Sequence, residues 1–154
     1  MNETDALARR LVEAYRQHSR IPATPESGPA DAGQAYAVQR AVWRELVGAN
    51  RPTAWKIGAS AADAEPFAAP VFPTRLALAP AGLAVDPFSL AVEAEVALRF
   101  ARDLPPRAES YGRAEILAAI GGVHVAMELI DTRLADAEAA GPLWRLADNQ
   151  VNGG

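Results

Sequence analysis

Two glutamates one residue apart sit inside an apolar, β-prone run, Leu90-Ala91-Val92-Glu93-Ala94-Glu95-Val96-Ala97-Leu98-Arg99-Phe100. In a strand, residues i and i+2 share a face, so Glu93 and Glu95 point the same way, about 7 Å apart along the backbone. Val92, Ala94, Val96, Leu98 and Phe100 take the opposite face. On a solvated face the glutamates are simply the polar side of a half-buried strand. On an enclosed face two like charges need compensation, and Arg or Lys partners, a raised pKa or a bound hard cation supply it. Arg99 is the only basic residue on that face. The spacing alone leaves both readings open.

A third carboxylate lies in a second alternating run, Val123-His124-Val125-Ala126-Met127-Glu128-Leu129-Ile130-Asp131. Val123, Val125, Met127 and Leu129 share one face; His124, Ala126, Glu128 and Ile130 share the other. His124 has no second histidine near it in sequence, so a His-rich metal site is not expected, and it reads as a surface or satisfied structural residue. A single Lys interrupts Thr53-Ala54-Trp55-Lys56-Ile57-Gly58-Ala59-Ser60. Alternation puts Trp55 and Ile57 on one face and Lys56 on the other, beside the conformationally free Gly58. Lys56 is either a solvated strand residue or the partner of an anion, a substrate carboxylate or an enolate oxygen. The run from Leu143 to Gly154 concentrates Asp, Asn and Gly. It reads as a turn-rich terminus or as a loop whose amides and carboxylate converge on a site. No Walker loop, G-x-G-x-x-G or G-x-S-x-G motif and no internal repeat is present.

These residues need a scaffold. Asp5 to His18 has the spacing of an amphipathic helix with Ala6, Leu11, Ala14 and Tyr15 on its apolar stripe. Ile21 to Pro29, with three prolines and a glycine, is a connector. Asp31, with Gln34 three residues on, starts a second helix that runs to about Val47, with Ala35, Val38, Val42 and Leu46 inward and Trp43 beside them. Ala61 to Pro80, punctuated by Pro66, Pro70, Pro73 and Pro80, reads as a wrapped irregular loop. Gly82 to Pro87 is a turn leading into the glutamate strand. Arg102 to Arg107 is a loop, and Arg113 to Ile120 is helical, closed by Gly121-Gly122.

Composition bounds the rest. A chain of 154 residues has room for one domain with a sizeable core. Half of the residues are hydrophobic and the net charge is -4, so neither disorder nor a nucleic-acid partner is expected. The absence of cysteine excludes disulfide scaffolds, thiolate catalysis and thiolate metal sites. The N-terminus is polar and acidic, and no stretch approaches the roughly 18 apolar residues of a membrane span, so a soluble cytoplasmic protein is expected.

Five blocks, Ala35-Tyr36-Ala37-Val38-Gln39, Trp55-Lys56-Ile57-Gly58, Val92-Glu93-Ala94-Glu95-Val96-Ala97, Met127-Glu128-Leu129-Ile130-Asp131-Thr132-Arg133 and Ala147-Asp148-Asn149, together resemble the 2-keto-4-pentenoate hydratase family of the fumarylacetoacetate hydrolase superfamily. The likeness is one of order and spacing, from about residue 30 to the end. It implies an α+β fold in which N-terminal helices (residues 1–50) pack beside part of the superfamily's mixed β-roll (residues 51–154), as a single domain. It implies Mg2+ or Mn2+ held by Glu93, Glu95 and Glu128, with Lys56 as a charge-neutralising or proton-shuttling residue and Asp131 and Asp148 as further catalytic or loop-positioning residues. Lys56, Ile57, Gly58, Arg133 and Asn149 would bind the substrate, a small 2-oxo or 2-hydroxy-dienoate, in a homo-oligomeric hydro-lyase of aromatic-compound breakdown. Decarboxylation of a 2-oxo-dienedioate, or hydrolysis of an acylpyruvate C-C bond, uses the same logic. Two departures stand out: Val71 occupies a position where several relatives carry an acid, and the family's chains continue with further strands beyond the Asp-Asn block. They motivate a reading of another class, a truncated, non-catalytic relative or assembly partner, and an expectation of open strand edges that a partner chain would cover.

Overall fold

A computed structural model of the chain describes residues 2–82 and 89–154. The turn expected at Gly82 to Pro87 lies, from Leu83 onward, outside the described residues. The architecture is α+β: helices α1 (Glu3–Gln17) and α2 (Ala32–Leu46), strands β1 (Trp55–Gly58), β2 (Phe67–Pro70) and β3 (Ser89–Phe100), helix α3 (Arg113–Ala119), strand β4 (Ile120–Asp131), and short helices α4 (Ala137–Ala140) and α5 (Pro142–Ala147). β1 pairs with β2 and β3 with β4, giving two separate two-stranded sheets. The chain divides into two compact units, one made of Met1–Ala91 with Leu129–Gly154 and one of Val92–Glu128.

Helix boundaries in the larger unit follow cap chemistry. The Asn2 side chain accepts from the Asp5 N–H, and Asp31 accepts from the Gln34 N–H, so each helix begins where a short polar side chain satisfies an orphan donor. α1 ends on His18 in the left-handed region, φ 48°, its N–H returning to the Ala14 carbonyl. The buried stripe of α1 is Leu7, Ala8, Leu11, Val12 and Ala14, rotated from the expected one, in which Ala6 and Tyr15 are only half-buried. That of α2 is Ala35, Val38, Gln39, Val42 and Trp43. Phe72 stacks on Trp43 (centroids 5.6 Å apart) and meets Tyr15 edge-on at 5.4 Å. The helical N-terminal part shares this core with the chain's end, because Leu134, Trp144 and Leu146 belong to the same apolar cluster. Trp144 is fully buried and donates its Nε1–H to the Thr24 carbonyl. A Cβ on Gly28 would come within 2.5 Å of the Trp144 ring nitrogen, so only glycine fits that connector position.

Inside the stretch read as an irregular loop, the structure places β2. It pairs antiparallel to β1, with Trp55 opposite Pro70 and Lys56 opposite Ala69. Four residues ending in proline are too short for alternation to be legible. Side chains of α2 hold the strand: the Ala68 N–H donates to the Tyr36 hydroxyl, and the Gln39 Nε2 donates to the Leu146 and Ala68 carbonyls. The terminal run differs from expectation too. Pro142 starts α5 as a first-turn proline, so only the residues beyond Ala147 are turn.

The smaller unit is built from β3, β4 and α3. Ala101 N–H bonds the Ala119 carbonyl where β3 ends and β4 begins, as an antiparallel pair requires. Gly121 and Gly122 belong to β4 rather than closing α3, and a Cβ on Gly121 would lie 2.6 Å from that of Ala101. The loop before α3 is pinned by Arg107, whose guanidinium forks onto both oxygens of Glu115 at 2.9 and 2.7 Å. The Arg107 hydrogen bonds and the Gly112 N–H push Glu115 down to about 2. A depressed folded-state pKa contributes stability that is present above the ordinary carboxylate range and lost as pH falls toward 2. Carboxyl NMR titration should therefore give Glu115 a midpoint near 2, and Arg107→Ala should return it to the ordinary range; an unmoved midpoint refutes the fork.

Candidate metal centre

Glu93 and Glu95 on β3 and Glu128 on β4 each offer a carboxylate oxygen, all within 4.8 Å of one another. The strand period explains the convergence: Glu93 and Glu95 share a face, and cross-strand pairing brings Glu128 onto it. Glu128 is 5% exposed, Glu95 half-buried and Glu93 exposed. Ionised carboxylates this close repel by about 1 kcal/mol per pair in water and about 3 kcal/mol at an effective dielectric of 20. Such a group persists with positive charge or protons nearby, and hard divalent cations take this all-oxygen donor set.

Because these glutamates share one face, Val92, Val96, Leu98 and Phe100 of β3 lie on the other, with Val123, Val125 and Met127 of β4. All of these apolar residues are exposed, Val125 at 91%. The expected alternation is present: the apolar face is exposed, and on the carboxylate face Glu93 is exposed, Glu95 half-buried and only Glu128 buried. In β1, Trp55 and Ile57 are exposed and Lys56 is half-buried. Gly58 is required for close approach rather than for a free backbone, since a Cβ there would sit 2.7 Å from the Phe67 ring.

The remaining candidates of the larger unit form a buried ion-pair node. Arg133 donates from Nε to Asp148 Oδ1 and from one terminal nitrogen to Asp131 Oδ2, both at 2.9 Å, while its other terminal nitrogen caps the Asp131 carbonyl. Asp148 Oδ2 also accepts from the Thr132 hydroxyl at 2.7 Å and from the Arg133 N–H at 2.8 Å. The guanidinium lies 4.0 Å from the centre of the Tyr15 ring. Burial pushes the Asp148 carboxyl up, against the pull of Arg133 and the donors on it. Burial also opposes the Arg133 charge, but Asp148, Tyr15 and Asp131 hold its pKa above that of a free guanidinium. With three donors on the carboxylate and a cation that does not deprotonate, the pair is ionised at neutral pH.

Asn149 continues from this node in a left-handed turn: Asn149, Gln150 and Val151 have φ of 59°, 57° and 54°. This conformation costs roughly 1–2 kcal/mol per residue, most for a β-branched residue such as Val151. The Asn149 Nδ2 anchors the turn on the Pro70 carbonyl at 2.7 Å. Gly153 and Gly154 then dock on the end of β4, exchanging backbone bonds with Leu129 at 2.8 and 2.7 Å. A Cβ on Gly153 would strike the Asp131 Cβ at 2.6 Å. Tyr36 and Gln39, which fix β2 opposite β1, belong to the first of the five blocks, and their polarity on an otherwise apolar helix stripe is the signal that marks them. Among the described residues, no helix is long and apolar enough to cross a membrane. Neither a protein-family model nor a curated protein sequence matches this chain, so its functional reading rests on these side chains and on the resemblance of the five blocks.

Proposed function

We propose that the chain is a metal-dependent hydro-lyase that adds water to 2-hydroxypenta-2,4-dienoate, or a closely related dienoate, to give a 4-hydroxy-2-oxo acid. The observation that carries this reading is the convergence of Glu93, Glu95 and Glu128 within 4.8 Å. They would hold Mg2+ or Mn2+, which when bound supplies a Lewis acid for the carboxylate and 2-oxo oxygens of such a substrate. Lys56 neutralises developing enolate charge and holds the proton that moves between oxygen and carbon as the dienol tautomerises. By the resemblance of their blocks, Ile57, Gly58, Arg133 and Asn149 would bind the substrate, and within the larger unit the ion pairs of Arg133 with Asp131 and Asp148 hold the turn that carries Asn149. Val71, apolar where several relatives of the resembled family carry an acid, favours the second reading, a non-catalytic relative or assembly partner. Incubation of the chain with Mn2+ and the dienoate, followed by loss of ultraviolet absorbance, tests the proposal; unchanged absorbance refutes it. Lys56→Met should lower turnover by about 100-fold or more with Mn2+ affinity unchanged, whereas wild-type rates would remove Lys56 from the chemistry.

A further inference from the structure

A cavity of about 20 Å³ lies where the end of α1 meets the end of β4, lined by Tyr15, His18, Arg75, Asp131, Thr132 and Arg133 among others. One water needs roughly 10–15 Å³ of such space, so the cavity has room for one water. Two of its lining residues carry buried polar atoms with no hydrogen-bond partner among the described residues, the Tyr15 hydroxyl and Asp131 Oδ1. Their chemistry is complementary at one remove. The phenol offers a donor and lone pairs, Oδ1 offers only lone pairs, and no direct bond joins them.

The charges around the cavity narrow the occupant. Arg75 and Arg133 both act on Tyr15 as positive neighbours, which disfavours a cation. Asp131 and Asp148 act on it as negative neighbours, which disfavours an anion. Asp131 is 5% exposed and its other oxygen is committed to Arg133 at 2.9 Å, so Oδ1 cannot turn away without breaking the ion pair. We infer that one structural water binds here, accepting from or donating to the Tyr15 hydroxyl and donating to Asp131 Oδ1. It ties α1 to the ion-pair node by hydrogen bonds, and α1 thereby helps fix the Asp131 carboxylate that Arg133 grips from the other side.

A crystal structure of the chain at 1.5 Å or better tests this; the range for the two contacts is roughly 2.6–3.2 Å. One ordered peak within that range of both Tyr15 Oη and Asp131 Oδ1 supports the inference, and in Tyr15→Phe the peak should be lost or displaced toward Asp131. A wild-type map with no such peak, or with Tyr15 bonded directly to Asp131, overturns it, and so does a Tyr15→Phe map in which the peak is unmoved. The wild-type map decides the matter even if the variant fails to fold.

Discussion

Glu128→Gln should weaken Mn2+ binding by about 100-fold or more, and Glu93→Gln and Glu95→Gln should weaken it as well. The substitution keeps the side chain's size and its position on β4 while removing the charge that a hard cation requires. Glu128 is the decisive test because it is the buried member of the three. A buried ligand oxygen is held by the strand and excludes water, whereas an exposed carboxylate such as Glu93 competes with solvent for the ion. Titration calorimetry with Mn2+ measures the effect, and Glu109→Gln, an exposed loop residue, is the control that should change nothing. A second readout comes from folding: saturating a site at about 100 times its Kd stabilises the folded chain by about 2.7 kcal/mol, and Glu128→Gln should abolish that increment. Unchanged Mn2+ affinity in all three variants would reduce the cluster to an acidic surface and remove the basis of the lyase reading.

The limits of the sequence are visible in this same strand pair. Period two told which residues of β3 and β4 travel together, and Glu93, Glu95 and Glu128 are indeed on one face. What period cannot tell is which face is covered, because that depends on what packs against it. In the 92–128 unit only α3 accompanies the two strands, and Val96, Val125 and Met127 are exposed where a conventional half-buried strand would hide them. α2 was legible because a cap residue and a 3.6-residue stripe agreed at Asp31, whereas α1 was read from its stripe alone and begins earlier, at Glu3 on the Asn2 cap. β2 and α5 were not, since each spans no more than six residues and both are positioned by distant partners: Tyr36 and Gln39 for β2, Thr24 and Gly28 for Trp144. Asp131, Arg133 and Asp148 could be picked out by type, but their ion pairs span up to 15 residues of sequence and are set by the left-handed turn and the glycines that follow it. Their geometry makes the Asp-Asn block a brace for the chain's end, with Asn149 the one member that leaves the node to reach another strand.

Breaking that brace should unfold the larger unit more readily than any surface change. Asp148→Asn preserves shape but removes a carboxylate that is 1% exposed and accepts from Thr132, the Arg133 N–H and the Arg133 side chain. The amide nitrogen must then face one of those donors, and Arg133 keeps only Asp131 as a charged partner. Loss of one member of a buried pair costs about 3–5 kcal/mol, a large share of the 5–15 kcal/mol that holds a typical domain together. The expected result is a urea midpoint lowered by roughly 1–3 M at the usual slope for a small domain, with the slope itself unchanged. Arg133→Met should cost at least as much, because it leaves two buried carboxylates without their cation, whereas Arg133→Met combined with Asp148→Leu removes the charges together and should recover part of the loss. An additive double variant would mean that the two side chains do not act as a pair. A midpoint within experimental error of wild type for Asp148→Asn would show that the hydrogen bonds to Thr132 and the backbone, which an amide oxygen can still accept, carry the turn without the charge.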